Sequence, residues 1–175
     1  MIIKDKPFKV YLEEEEINVR LKELGKQITT DYQGKKLILV GILNGAFMFL
    51  ADLCRFIDLP LEVSFVKYAS YQGTSSTGKV AELIGFDDRI KGKDVLIVED
   101  IVDTGNTIQK LSEDIIKKAP GSVKIAALLL KPEVYTGDIP IDYLGIEIAN
   151  RFVVGYGLDY DGFGRNLKDL YVLDE

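Results

Sequence analysis

Two hydrophobic patterns alternate along the chain. Residues 11–31 place apolar side chains three to five positions apart among charged ones, and this spacing predicts an amphipathic helix. Residues 37–43 form an unbroken apolar run instead, which is typical of a strand buried on both faces. The same patterns predict strands at 61–68, 95–98, 123–130 and 141–148, and helices at 46–56 and at about 106–118.

This alternation predicts an α/β fold, with a doubly wound and mainly parallel sheet flanked by helices on both faces. A chain of 175 residues is short for two ordinary domains, so we expect a single domain over residues 1–175, with its core at about 10–148. Residues of about 149–175 are rich in glycine and aromatic side chains and depart from the alternation. We expect them, together with N-terminal residues, to form a small cap over the sheet.

Composition narrows the classes of function. With 47% hydrophobic and 29% charged residues the chain can bury a sizeable core, and 22 basic against 28 acidic residues give a net charge of −6. Such a charge argues against a protein whose main work is to grip a nucleic-acid backbone. The lack of any histidine excludes Ser-His-Asp and Cys-His catalytic pairs and the usual imidazole zinc sites. Acid–base chemistry would therefore fall to Asp, Glu, Lys or Tyr, and a bound metal would be a hard ion such as Mg²⁺.

The sequence also predicts where the protein works. A single cysteine, Cys54, excludes an internal disulfide and fits a reducing compartment. No apolar run approaches the roughly 20 residues that span a bilayer, and no targeting segment is recognisable near the start. We expect a cytoplasmic protein with no membrane partner.

The loop after the predicted strand 95–98 carries the clearest chemical signal. The strand leads into Glu99 and Asp100, and Asp103 follows just before a Thr-Gly-Asn-Thr stretch at 104–107, where a helix starts. Backbone N–H groups, two hydroxyls and the helix dipole would there cradle one phosphate monoester, at the edge where open α/β sheets bind ligands. The alternative is that Asp103 or its neighbour merely caps the helix. Capping leaves the adjacent carboxylates unexplained, because such a pair needs hydroxyl donors or a cation.

Residues 95–107 resemble the phosphoribosyl pyrophosphate loop of the type I phosphoribosyltransferases, and the resemblance extends over about 37–175. Three other segments narrow it to the hypoxanthine-guanine phosphoribosyltransferases. They are Leu43, Asn44 and Gly45, where the family places its pyrophosphate loop; Ser70 and Tyr71, which open a stretch like its mobile flap; and Phe152 to Asp159 with Arg165, which are similar to its purine-binding hood.

The resemblance implies the type I phosphoribosyltransferase fold and a reaction of purine salvage. The 5-phosphoribosyl group of phosphoribosyl pyrophosphate would pass to hypoxanthine or guanine, giving IMP or GMP and pyrophosphate, with Mg²⁺ as cofactor. The family forms dimers and tetramers, so we expect a homodimer or homotetramer.

The resemblance also assigns roles to residues. Asp103 would be the general base, and Glu99 and Asp100 would bind the ribose hydroxyls and Mg²⁺, for which Asp159 is a further candidate ligand. The remaining roles are 5-phosphate and ribose binding by Asp103, Thr104, Gly105, Asn106 and Thr107; pyrophosphate binding by Leu43, Asn44, Gly45 and Arg165; purine binding by Lys131, Phe152, Val153 and Asp159; and site closure by Ser70 and Tyr71.

Each assignment from the last third of the chain has an ordinary alternative. Lys131 ends a predicted strand and could be a solvated lysine, Phe152 could be a core residue beside two valines, and Arg165 could be a plain surface arginine. Asn44 departs from the family, in which lysine or arginine is frequent at this position. The family's loop can also hold a cis peptide before this residue, so we expect Leu43–Asn44 to be cis.

Two other functions stay open at this point. A regulator on the same fold could bind RNA or DNA and sense nucleotides, although the net charge of −6 and the complete purine hood count against it. A phosphoribosyltransferase for another base is the second alternative. Lys131 disfavours adenine, because an ammonium group has no acceptor for the amino group that adenine presents.

Overall fold

The computed structural model describes residues 1–70 and 80–174, and Tyr71 of the predicted flap lies outside them. The strands in the described residues are Ile2–Ile3 (β1), Lys6–Leu12 (β2), Leu37–Leu43 (β3), Leu61–Ser70 (β4), Val80–Ile84 (β5), Asp94–Val102 (β6), Ser122–Leu130 (β7), Tyr143–Glu147 (β8), Val153–Val154 (β9) and Leu170–Leu173 (β10). The α-helices there are Glu14–Asp31 (α1), Phe47–Phe56 (α2) and Asn106–Ile116 (α3).

The main sheet has the strand order β5-β4-β3-β6-β7-β8. All neighbouring pairs are parallel except β4 and β5, so the predicted mainly parallel sheet is confirmed. Its two faces follow from the alternation of side chains along a strand. In β3, Leu37 and Leu39 pack in the cluster that includes α1 and α2, whereas Ile38 and Val40 pack with α3 on the opposite face.

The first helix starts later than its apolar spacing predicts. Residues 6–12 form β2, which pairs with β10, so Leu12 belongs to a strand and α1 begins at Glu14. The backbone N–H of Glu13 donates to Oε2 of Glu16 at 3.0 Å and thereby fixes the helix start.

Strand β6 extends further than predicted. Its apolar run ends at Val98, but the ladder with β7 continues through Glu99, paired with Ala127, to Val102, paired with Leu130. The two adjacent carboxylates therefore lie on the strand itself rather than in the following loop. Hydrogen bonding to the long apolar strand β7 outweighs the low strand propensity of these acidic residues.

A second, smaller sheet joins the two ends of the chain in the order β1-β2-β10-β9. Its own small core contains Ile3, Phe8, Val154 and Tyr171. Residues 149–174 thus pack with the N-terminal strands, and we call residues 149–174 the hood. In the part of the chain that the structure describes, no helix is long and apolar enough to cross a membrane.

Candidate active site

Four predicted site segments emerge from neighbouring strands. Strands β3, β6, β7 and β8 are adjacent and parallel, so their carboxyl ends lie at one edge of the sheet. This edge is where open α/β sheets bind ligands. Strands β6, β7 and β8 end at the same level of the sheet, since Val102 pairs with Leu130 and Leu130 pairs with Glu147. The segments that begin at Asn44, Asp103 and Lys131, and the hood after β8, therefore leave the sheet side by side.

Two carboxylates lie at this edge of the sheet, that of Glu99 buried and that of Asp100 partly buried. Glu99 is 6% exposed, and its Oε2 has no hydrogen-bond partner in the described structure. Burial raises the pKa of Glu99 well above its ordinary range, and the charge of Asp100 adds to this effect. Burial also raises the pKa of Asp100, while the nearby Arg165 guanidinium is among the groups that oppose this increase. A buried carboxyl group with an unsatisfied oxygen, next to a partly buried one, favours a cation or hydroxyl donors as ligand.

The predicted pyrophosphate loop packs directly on Asp100. A Cβ atom added at Gly45 would overlap Oδ2 of Asp100, so only glycine allows this approach. The peptide between Leu43 and Asn44 is cis, and this prediction is confirmed. Asn44 is exposed, whereas Gly45 is buried. The loop and the carboxylates thus form one continuous surface.

The Thr-Gly-Asn-Thr segment starts α3 without a side-chain cap. Gly105 is the N-cap residue at φ +90°, and no side chain accepts a capping hydrogen bond there. The interpretation of Asp103 or Thr104 as a helix cap is therefore wrong, and the first N–H groups of α3 remain available. Residues 99 and 101–108 line a cavity of about 80 Å³. This volume exceeds the roughly 30 Å³ share of one water and suits a small group such as one phosphate.

Asp103 and Lys131 form an ion pair across the ends of β6 and β7. Nζ of Lys131 lies 3.0 Å from Oδ2 of Asp103, and the backbone N–H of Lys131 donates to Val102 O at 3.0 Å. Lys131 is only 8% exposed, so the interpretation of a solvated strand-end lysine is wrong. A buried ammonium needs such a partner, and this one has two further N–H donors to offer a ligand.

The hood carries an exposed aromatic ring. The backbone N–H of Ile148 donates to Leu130 O at 2.9 Å, so the hood begins beside Lys131. Phe152 is 49% exposed, which excludes the interpretation of a core residue. It borders a cavity of about 500 Å³ whose other lining residues include none of the other predicted site residues. Val153 is buried in β9, so its side chain belongs to the core and only its backbone could contact a base.

Arg165 is held in the hood and is no free surface arginine. It donates to Gly157 O at 2.9 Å and pairs with Oδ1 of Asp159 at 2.5 Å. The other oxygen of Asp159 accepts from the N–H of Gly162 at 2.7 Å. Among the described residues, no group of three or more His, Cys, Asp or Glu side chains is arranged to hold a metal ion. Asp159 thus does not join Glu99 and Asp100 in one metal cluster, and its role as a ligand stays a prediction.

A family model described as a phosphoribosyl transferase domain matches residues 9–161. The chain belongs to the phosphoribosyltransferase family. A hypoxanthine phosphoribosyltransferase from Salmonella typhimurium is 48% identical, over 95% of this chain and 97% of that protein. A hypoxanthine-guanine phosphoribosyltransferase from Lactococcus lactis is 46% identical, over 94% of this chain and 90% of that protein.

Solved structures of phosphoribosyltransferases share this fold. A Staphylococcus aureus hypoxanthine phosphoribosyltransferase superposes with a TM-score of 0.87 at 45% identity, covering 95% of this chain and 91% of that one. A Bacillus anthracis hypoxanthine-guanine phosphoribosyltransferase gives a TM-score of 0.90 at 36% identity, covering 99% and 100%. The predicted fold class and enzyme class are confirmed.

The structure adds contacts to the phosphoribosyltransferase site that the sequence did not reveal. Tyr135 packs against Gly105, since a Cβ at this glycine would lie 2.5 Å from its ring. A Cβ at Gly157 would overlap the carbonyl oxygen of Gly45, so the hood touches the predicted pyrophosphate loop. Gly157 lies within the segment that resembles the purine-binding hood, but its contact with Gly45 had no sequence signal, and Tyr135 had none at all.

Proposed function

We propose that this phosphoribosyltransferase transfers the 5-phosphoribosyl group of phosphoribosyl pyrophosphate to hypoxanthine or guanine, as a purine salvage enzyme. The observation that carries the proposal is the buried Lys131 paired with Asp103 at 3.0 Å, next to the Thr104–Thr107 cradle. In this arrangement Lys131 could donate to a 6-oxo group and Asp103 could accept a ring proton, beside the proposed phosphate site. The names of the relatives support the same reaction.

The 5-phosphate would bind in the cavity of about 80 Å³ at the start of α3. N–H groups of residues 104–107 and the hydroxyls of Thr104 and Thr107 would donate to its oxygens, and the helix dipole favours the negative charge. Glu99 and Asp100 would accept hydrogen bonds from the ribose hydroxyls. These contacts would hold the anomeric carbon close to Asp103.

Lys131 and Asp103 would act together on the purine. Lys131 would donate to the 6-oxygen, and Asp103 would accept the proton that the imidazole ring loses as its nitrogen bonds to the anomeric carbon. The electron pair of the broken bond from the anomeric carbon to oxygen leaves with pyrophosphate. Phe152, which is 49% exposed, would stack on the base, and backbone carbonyls near Val153 and Asp159 would accept from its N–H groups.

Pyrophosphate would be bound by the backbone of Leu43, Asn44 and Gly45 and by Arg165. Glu99 and Asp100 fit a divalent ion, because the unpartnered Oε2 of Glu99 is buried and Mg²⁺ is usually held by one or two carboxylates together with substrate oxygens. When bound there, Mg²⁺ would neutralise charge on the departing pyrophosphate. Asp159 could serve a second ion only by giving up part of its contact with Arg165.

The homodimer or homotetramer expected from the sequence stays a proposal. Edge strand β5 and its neighbour β4 carry Ile84, Val63 and Phe65, which are 47%, 36% and 39% exposed. These exposed apolar side chains support contact with a second copy. A solved Trypanosoma cruzi hypoxanthine phosphoribosyltransferase, 41% identical, was studied for the role of its C-terminal region in oligomeric state and activity. Light scattering during gel filtration would give the mass. The cytoplasmic location and the lack of a nucleic-acid partner also stay predictions.

The function is tested by product formation from phosphoribosyl pyrophosphate and Mg²⁺ with hypoxanthine, guanine, xanthine and adenine in separate reactions. We expect nucleotide and pyrophosphate in equal amounts with hypoxanthine or guanine. Nucleotide formed only from adenine would instead support a phosphoribosyltransferase for another base. No product from any base, together with a salt-dependent shift of RNA at micromolar protein, would support the regulator.

A further inference from the structure

Tyr156 occupies an unusual turn in the hood. Its φ is +47°, a conformation that a residue with a Cβ rarely adopts, and it stands between Gly155 at +105° and Gly157 at +101°. The ring is 1% exposed, and its hydroxyl donates to Oδ2 of Asp52 at 2.6 Å. The backbone N–H of Tyr156 donates to Leu167 O at 2.8 Å. Burial and two hydrogen bonds thus stabilise the positive φ of Tyr156, which is otherwise unfavourable.

The turn at Tyr156 connects both protein groups proposed to bind pyrophosphate. The N–H of Gly157 donates to the carbonyl oxygen of Arg165 at 3.0 Å, and the Arg165 guanidinium donates back to Gly157 O at 2.9 Å. On its other side, Gly157 packs so closely on Gly45 that a Cβ would overlap the Gly45 carbonyl oxygen. Displacement of this turn would therefore move Arg165 relative to the pyrophosphate loop.

The partner of the Tyr156 hydroxyl lies on the helix that follows the pyrophosphate loop. Asp52 is in α2, which begins at Phe47, and the N–H of Leu50 donates to Ala46 O at 2.8 Å to continue the helix from the loop. Asp52 itself is partly buried, and its other oxygen lies 3.3 Å from Arg55. The tyrosine–aspartate hydrogen bond thus fastens the hood to the element that carries the loop.

We propose that Tyr156 is a positioning residue for pyrophosphate: through Asp52 and Gly157 it fixes the distance between Arg165 and the loop at Gly45. This inference rests on the proposed function of these groups. Pyrophosphate would contact both Arg165 and the loop at Gly45. Its affinity is higher when their separation is already fixed, because binding then costs no free energy for ordering them. Lys131 lies outside this link, whereas Asp159 is joined to it through its ion pair with Arg165. Binding of the base should therefore weaken less than binding of pyrophosphate.

The test compares two tyrosines in similar settings. Tyr143 is also 1% exposed, and its hydroxyl donates to Oδ2 of Asp31 at 2.8 Å, but it lies on β8 and contacts neither the loop nor the hood turn. Each variant, Tyr156→Phe or Tyr143→Phe, removes one partly buried hydrogen bond to a carboxylate, and Tyr143→Phe also removes the acceptor of a 3.4 Å hydrogen bond from Lys124. Tyr143→Phe should therefore lower thermal stability at least as much as Tyr156→Phe. Only Tyr156→Phe should weaken binding of inorganic pyrophosphate with Mg²⁺, by about tenfold in calorimetry, which corresponds to loss of about one such hydrogen bond.

Kinetics separate a positioning role from a structural one. In Tyr156→Phe we expect a raised KM for phosphoribosyl pyrophosphate and a clearly smaller rise in KM for hypoxanthine. Equal pyrophosphate affinity in the two variants, or no pyrophosphate binding by the wild type, would overturn the inference. If Tyr156→Phe does not melt cooperatively, Asp52→Asn is measured instead. It must also bind pyrophosphate more weakly than the wild type, although by less than about tenfold. A wild type that binds pyrophosphate but forms no nucleotide would refute the proposed function alone.

Discussion

Glu99→Gln should stabilise the ligand-free enzyme at neutral and alkaline pH although it removes a functional group. The side chain is 6% exposed, its Oε2 has no hydrogen-bond partner in the described structure, and Asp100 lies beside it. Burial raises the pKa of Glu99 well above the ordinary value of 4.5. The folded protein therefore holds a proton that the unfolded chain releases as the pH rises. Glutamine keeps the shape, replaces the O–H donor of the protonated acid with an N–H donor and has no charge.

The size and sign of the effect follow from this linkage. Because the pKa is raised on folding, the Glu99 contribution to stability is full below about pH 4.5 and is lost as the pH rises toward the folded pKa. Above the folded pKa, each unit by which folding raises the pKa costs the wild type about 1.4 kcal/mol, and glutamine has no such cost. We therefore expect Glu99→Gln to gain at least about 1 kcal/mol at pH 8 and almost nothing at pH 4.5. For a protein of this size each kcal/mol raises the Tm by about 2–4 °C.

Urea unfolding without ligand at pH 4.5, 6.5 and 8, followed by circular dichroism, measures this difference. Glu133→Gln is the matched control, since Glu133 is exposed in the turn after β7 and should give no pH-dependent gain. The same Glu99 variant should need more Mg²⁺ and more phosphoribosyl pyrophosphate for half-maximal rate. A Glu99→Gln protein that is no more stable than the wild type at pH 8 would refute the reasoning, as would a gain of equal size at all three pH values.

Three further predictions concern the reacting groups and the loop beside them. Asp103→Asn should lower kcat with hypoxanthine by about 10²–10⁴, because it removes the proton acceptor, and wild-type turnover would exclude Asp103 as the base. Lys131→Gln should lower hypoxanthine turnover and raise the adenine-to-hypoxanthine ratio of kcat/KM; an unchanged ratio would contradict 6-oxo recognition. Gly45→Ala should abolish turnover, since its Cβ would overlap Asp100, whereas Asn44→Ala should retain most activity because its part is played by the backbone. Turnover rates of the two variants, measured under the same conditions, check this prediction. A more active Gly45→Ala than Asn44→Ala would contradict it.

The main sheet could be predicted because its signals are local. The unbroken apolar run at 37–43 is visible within one segment, and the structure has β3 at the same residues. The ends of helices and strands were less predictable where a helical spacing and a strand overlap in the sequence. Leu12 continues the helical spacing toward Ile17, but pairing with Leu170 on β10, far away in the chain, makes it part of a strand. Strand β5 was not predicted although four of its five residues are apolar, because its run is short and its identity depends on antiparallel pairing with β4.

The candidate site was predictable as a set of segments and not as a set of contacts. The acidic residues at the end of β6 and the Gly-Thr residues that follow lie within nine positions, 99–107, so their chemistry can be inferred from the sequence. The Asp103–Lys131 pair depends on the register of Val102 with Leu130, which no local pattern specifies. The bond from Tyr156 to Asp52 spans 104 positions and likewise has no sequence signal.

A single competition reaction tests the central claim most directly. Hypoxanthine and adenine at equal concentration are incubated with phosphoribosyl pyrophosphate, Mg²⁺ and a limiting amount of enzyme, and the nucleotide products are quantified by mass spectrometry. A 6-oxopurine phosphoribosyltransferase that uses Lys131 as its donor to the base should form IMP with little AMP, and one pyrophosphate per nucleotide. Equal amounts of IMP and AMP, an excess of AMP, or no nucleotide at all would contradict the account.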